Sequence, residues 1–274
     1  MYFITFSEKM GTNGTEIARR VADQLGYSFY DTEAIENAAR EMGFLEDVKE
    51  IDEKVPSLFE RLFSHKPEIH LDRLNSVIYA LASQGNAVFL GRGSYILLKA
   101  FKCALNIRVT ASLEKRIQNL VERGFHREVA IKAIHRSDHE RGAFAKFAFG
   151  VDWDNPDLYD IVLNMDNLPI DLAVDTVLYM ARSEEIKVRS VDAIKSLEMM
   201  GLAHRAEAAL IEAGLTYGPT TSISLSVTEP GNVRLSGLVE KQTTKTRAEK
   251  ILKNVKGVES IENQIRVTSL DRHA

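Results

Sequence analysis

The sequence predicts an α/β protein, with a parallel five-stranded sheet flanked by helices and a small α+β module after it. Three observations predict this. Through residue 182, short apolar runs rich in β-branched and aromatic residues alternate with segments of helical periodicity, as strands joined by helical crossovers do. Glycine turns and polar residues then follow several of the strands, at the sheet edge where such folds hold ligands. Beyond residue 182 apolar and polar residues alternate within strand-length segments, the mark of a sheet wetted on one face.

The elements follow in order. The run from Tyr2 to Phe6 reads as a buried strand, Gly11 to Gly14 as a turn, and Ile17, Val21 and Leu25 as one face of a helix. Tyr27–Tyr30 forms a second strand, and Asp31 is an N-cap for a helix reaching about Met42. Leu45 to Gly85 is helical, interrupted at Pro56 and Pro67, with its last helix at Leu71–Leu81. Asn86–Leu90 is the third strand and runs into Gly91-Arg92-Gly93; Ala104–Thr110 is the fourth, after which Ser112 caps a helix. A charged helix spans His126–Phe149, a loop leads to the fifth strand at Tyr159–Asn164, and Ile170–Met180 closes the sheet. The expected division is 1–182 for this domain, 183–202 for a linker or connecting helix and 203–270 for the α+β module. In that module a helix is expected at His204–Ala213, strands at Ser222–Thr228 and Val233–Glu240, a helix at Thr244–Val255 and a last strand at Val258–Val267.

Composition narrows the function classes. The chain has 274 residues, 45% of them hydrophobic and 27% charged, enough for a substantial core. A net charge of −4 gives no basic field for nucleic acid as the main partner. The single cysteine, Cys103, excludes an intramolecular disulfide and fits a reducing cytoplasm. Neither a signal peptide nor a membrane-length apolar run is read, so the expected location is cytoplasmic.

Strand, glycine turn and helix N-terminus together make a phosphate cradle from converging backbone N–H groups and a positive dipole end. Gly11, Thr12, Asn13, Gly14 and Thr15 are the residues expected to hold phosphate. Overlaid on G-x-x-x-x-G-K-[ST], the second glycine is Gly14, the first falls on Lys9, Thr15 takes the lysine position and Glu16 the Ser/Thr position. The usual lysine charge is therefore missing, and Lys9 is the cation expected to reach back over the loop. An ordinary turn without a ligand is the alternative at this point.

Several spaced motifs resemble the cytidylate kinase-like proteins of the nucleoside monophosphate kinase group. They are the strand and glycine turn, Tyr30-Asp31-Thr32-x-Ala34-Ile35, Leu90-Gly91-Arg92-Gly93, Thr110-Ala-Ser-Leu-Glu-Lys-Arg116, Asp138-x-x-Arg141, and Asp152-Trp153-x-x-Pro156-x-Leu158-Tyr159-Asp160 leading into Asn164-x-Asp166. Residues 190–268 resemble a BON domain through Val233-Arg-Leu-Ser-Gly237-x-Val239 and Val255-x-Gly257-Val258-x-x-Ile261-x-Asn263.

The resemblance implies a P-loop kinase-like fold and transfer of the ATP γ-phosphoryl group to a pyrimidine monophosphate, CMP or dCMP, with Mg²⁺. Arg136 and Arg141, on a helix that would act as a lid, and Lys9 are the implied catalytic cations. Arg92 would fork the acceptor phosphate, Asp31 would meet its sugar or base, and Asp138 belongs to the same substrate set. Arg40 is a further acceptor candidate, about one turn beyond Asn37, where cytidylate kinases carry their acceptor arginine. Leu90 stands where those kinases have an aspartate, so no protein ligand for a metal is assigned. The C-terminal module would bind an unidentified ligand or protein. A nucleotide-binding regulatory protein without turnover is the competing function.

Structural roles also suit these residues. Arg136, Asp138 and Arg141 fit a solvated, ion-paired helix face, and Asp31 fits a plain N-cap. His135 and His139 read as a surface pair, Trp153 as loop packing and Cys103 as an inert core residue.

Overall fold

A computed structural model describes residues 3–42, 67–101, 103–183, 193–218 and 221–268. The helical expectation for residues 45–66 and the stretch 184–192 of the expected linker lie outside the described residues.

The first body is a parallel sheet of β1 (Phe3–Glu8), β2 (Ser28–Tyr30), β3 (Ala87–Leu90), β4 (Ala104–Thr110) and β5 (Ile161–Asn164), in the order β2-β3-β1-β4-β5. Phe3, Ile4 and Phe6 are fully buried, as a central strand covered on both faces requires. Helix α1 (Gly14–Leu25) turns Ile17, Ala18, Val21 and Ala22 onto the sheet, and its apolar stripe shares a core cluster with Ala173, Val174 and Val177 of a later helix, Ile170–Ala181. Helix α2 (Thr32–Glu41) follows β2, and α3 (Pro67–Ser83) precedes β3. A short helix α4 (Ser94–Leu97) follows β3, while α5 (Leu113–Glu122) and α6 (Arg127–Phe149) lie between β4 and β5. Gly150, in the left-handed conformation, ends α6. The strand order sets the ends of β3, β1 and β4 side by side, so the segments leaving them share one edge. The helix closing this body, Ile170–Ala181, is α7.

The second body has its own core of Leu202, Ala206, Leu210, Ile223, Val233, Leu235, Val239, Ala248, Leu252 and Ile265. Its elements are α8 (Ala193–Glu212), β6 (Tyr217–Gly218), β7 (Thr221–Glu229), β8 (Asn232–Val239), α9 (Gln242–Lys253), β9 (Ser260–Asn263) and β10 (Arg266–Val267). Strands β7 and β8 form an antiparallel hairpin, and β9 and β10 both run parallel to β8. The single last strand expected from alternation is therefore two. The break follows from Asn263, whose Oδ1 accepts the Ile265 N–H while its Nδ2 reaches Glu249, which turns the backbone between the two pairings. Helix α8 begins eleven residues before the expected His204, so its first half covers positions read as linker.

Contacts group Met1–Ile35 with Gln84–Ala193, and Glu36–Ser83 with Ile194–Ala274. Helix α3 thus belongs with the C-terminal body although it sits between β2 and β3 in sequence, an arrangement that a linear division at 182 does not describe. Among the described residues, no helix is long and apolar enough to cross a membrane.

Candidate active site

At the end of β1 the backbone turns sharply. The Thr12 N–H and hydroxyl both donate to the Lys9 carbonyl, at 3.3 and 2.8 Å. Gly11 has φ +87°, and a Cβ there would stand 2.7 Å from the Arg116 carbonyl oxygen, so only glycine lets the loop lie against α5. Asn119 on α5 donates to the Gly11 carbonyl at 2.8 Å. Asn13, left-handed at φ 63°, leads into α1 and accepts a hydrogen bond from Arg123. The loop is thus held from outside by Asn119 and Arg123.

A carboxylate already meets those amides. Glu8 accepts the Thr15 N–H at 2.8 Å and the Thr15 hydroxyl at 2.7 Å. A helix N-terminus favours negative charge, and here the chain supplies it. Gly14 leaves the room, since a Cβ there would come within 2.6 Å of Glu8 Oε2. Glu16, at the Ser/Thr position of the overlaid motif, lies 3.7 Å from Arg20 in an i,i+4 pair.

Three arginines gather behind this loop. Arg108, 3% exposed, donates to Ser7 Oγ at 2.7 Å and Asp154 Oδ1 at 2.6 Å, and its guanidinium stacks 3.9 Å from the Trp153 ring centroid. Arg116 donates to the Met10 carbonyl at 2.7 Å and grips Asp138 bidentately at 2.8 and 2.7 Å. Arg141 donates to the Glu8 carbonyl. Burial pushes the Arg141 guanidinium below its ordinary pKa, Glu8 opposes that shift, and neighbouring Arg108 adds to it. Lys9 pairs with Asp154 at 3.0 Å. Each of these cations already meets an acceptor of the chain: Asp154 for Lys9 and Arg108, Asp138 for Arg116, and the Glu8 carbonyl for Arg141.

The model of the cytidylate kinase-like family matches residues 3–167. The chain belongs to the cytidylate kinase-like family. A BON domain matches residues 202–269. Among solved structures, an uncharacterized protein from Eubacterium ventriosum ATCC 27560 is 16% identical, with 67% of this chain and 100% of that chain covered and a TM-score of 0.54. Shikimate kinase from Bacteroides thetaiotaomicron is 12% identical over 66% of this chain and 99% of its own, at a TM-score of 0.43. A gluconokinase from Sinorhizobium meliloti 1021 is 12% identical over 69% and 97%, at 0.40. The first of these shares the fold. No curated protein matches the chain.

Within this cytidylate kinase-like body the structure brings together Lys9, the loop Gly11–Thr15, Asp138 and Arg141. Asp138 is occupied by Arg116. Asp31 caps α2 by accepting the Ala34 N–H at 3.0 Å, with Arg19 at 3.5 Å. Arg92, at φ 56° between Gly91 and Gly93 (both φ 76°), leaves β3 in three successive left-handed residues, and the Gly91 N–H is anchored to the Phe6 carbonyl at 2.8 Å. Asp31 and Arg92 therefore follow β2 and β3 on the loop's edge of the sheet. Arg136 stands apart: its side chain is 81% exposed and pairs with Glu140 at 2.7 Å. Arg40 donates to Asn37 at 2.6 Å and is grouped with the other body.

Glu8, Arg108 and Asp154 escaped the sequence reading, and Arg116 was quoted only as part of a motif. A signal for one existed. Arg108 interrupts an apolar strand and stands in register with Ser7 of β1, a charge where both neighbours are core.

Proposed function

We propose that the chain is an ATP-dependent nucleoside monophosphate kinase acting on CMP or dCMP, with a phosphate loop that departs from the usual P-loop. The observation that supports it most is the gathering of Arg108, Arg116, Arg141 and Lys9 behind the amides of Gly14 and Thr15. Phosphoryl transfer needs positioning and charge neutralisation more than covalent chemistry, and this reading assigns both to that arrangement. In this reading Gly11–Thr15 hold the ATP phosphates, and Arg141 and Lys9 offset charge on the transferring group. Arg136 joins them only if α6 moves. Arg92 forks the acceptor phosphate, and Asp31 meets the acceptor sugar or base while still capping α2. The paired oxygens of Glu8 and Thr15 are hard donors that fit Mg²⁺, which would supply further neutralisation of the phosphates when bound. The C-terminal BON-type module binds a separate ligand or partner, and the protein works in the cytoplasm.

A second reading has its own support. With Glu8 seated on the Thr15 amide, the loop carries an internal anion, as suits a regulatory protein that binds nucleotide without turning it over. One experiment separates the two. Wild type and Arg92→Ala are incubated with ATP, Mg²⁺ and CMP, products are resolved by chromatography, and ADP binding is followed by calorimetry. The kinase reading expects CMP-dependent ADP and CDP from wild type, reduced at least tenfold in the variant. Nucleotide binding without CDP from either protein supports the regulatory reading, and no binding overturns both.

A further inference from the structure

We propose that Asp72, His204 and Glu207 form a binding site for a divalent transition metal ion of the zinc class in the C-terminal body. Asp72 comes from α3, and His204 and Glu207 come from α8, where a spacing of three residues puts them on one face. One ligand atom from each of the three lies within 4.8 Å of the others. Asp72 Oδ1 and His204 Nδ1 are already 2.8 Å apart. Tyr79, two turns along α3, stacks on the His204 ring at 5.7 Å and 16° and holds its plane.

The partners around the cluster are distributed unevenly. Arg73, beside Asp72, pairs with Glu212 at 2.9 Å. Glu207 makes no hydrogen bond or ion pair among the described residues. A cross-helix hydrogen bond from His204 to the Asp72 carboxylate accounts for two of the three residues and leaves Glu207 without a role; an ion accounts for all three. Bonds of about 2.0–2.2 Å require the ligand atoms to close in, and the unengaged Glu207 side chain is the one free to do so. One imidazole and two carboxylates favour zinc-like ions over magnesium or calcium, and three protein ligands leave a fourth position for water. The bound ion would tie α3 to α8 across the two sequence segments of this body. The site is independent of the kinase reading.

The test uses the full chain without an affinity tag, stripped with EDTA and free of nucleotide. Zn²⁺ is titrated by calorimetry, and Co²⁺ by its visible absorption, which reports coordination geometry. Wild type is expected to bind one ion with a Kd below about 10 µM and to gain thermal stability on binding. His204→Ala and the isosteric Glu207→Gln are each expected to weaken binding at least tenfold. His135→Ala/His139→Ala, which removes the histidines spaced i,i+4 on α6, should leave binding unchanged. Circular dichroism of the metal-free variants establishes that they fold, and Glu207→Gln carries the test alone if His204→Ala does not. The proposal is overturned if wild type binds no ion in that range, if both site variants bind as wild type does, or if binding is lost with the His135/His139 pair.

Discussion

Glu8 carries most of what is unusual about this loop. Its carboxylate satisfies the Thr15 amide and hydroxyl in place of an incoming phosphate. Glu8→Gln keeps the shape and removes the charge, so ADP binding in EDTA should tighten about tenfold, equivalent to about 1.4 kcal/mol. The same change should weaken the dependence of binding on Mg²⁺ if Glu8 holds the ion; parallel ADP titrations in EDTA and in Mg²⁺ give both quantities. Asp138 is a residue of another kind. Its removal strands Arg116, whose side chain is 4% exposed, without its bidentate partner. Asp138→Ala should therefore cost on the order of 3 kcal/mol, read from the shift of a urea unfolding curve. Cys103 is fully buried and its thiol pKa is pushed up by that burial, which disfavours the reactive thiolate. Ellman's reagent should leave the native protein unmodified at neutral pH and titrate one thiol once the chain is denatured. Position by position, the residues that respond to local rules were readable beforehand: Asp31 as a cap and Gly11 as a tight turn both follow from near neighbours. Arg108, Arg116 and Glu8 were not, because their roles depend on partners brought in by the fold, Asp154, Asp138 and Thr15 among them.

Among the elements, those with strong periodicity and clear punctuation read well. Helix α1 ends at Gly26 and α6 at Gly150, both left-handed glycines that closed the expected helices. The end of the chain read less well. Val258–Val267 alternates like one strand, and only the side-chain bonds of Asn263 reveal two. The β1–α1 turn depends on backbone approach rather than on side-chain chemistry. Gly11→Ala would add strain at a positive φ and a contact of 2.7 Å with the Arg116 carbonyl. It should lower stability by about 2 kcal/mol and weaken ADP binding with it, measured by thermal unfolding with and without ADP.

For the whole molecule, one apolar cluster draws on residues 4–181 and another on residues 202–265. A fragment ending at residue 182 should keep its parallel sheet, yet it leaves α3 without Glu212 and His204, the partners of Arg73 and Asp72. That fragment is expected to show native-like circular dichroism but to bind a dye for exposed apolar surface more strongly than the full chain. The interleaving of α3 with the C-terminal body could not be read from a linear sequence, because no local signal assigns an inserted helix to one core or another. The strand, turn and helix on which a phosphate site is expected were, by contrast, legible in the sequence. The most direct measurement of that placement is an ADP titration of ¹⁵N-labelled protein, in the presence of Mg²⁺, followed through the backbone amide resonances. Saturable shifts are expected at Gly11, Gly14 and Thr15, with the Thr15 amide moving as the phosphate or ion replaces its bond to Glu8. Resonances of that loop that stay fixed while ADP binds elsewhere, or does not bind, would contradict it.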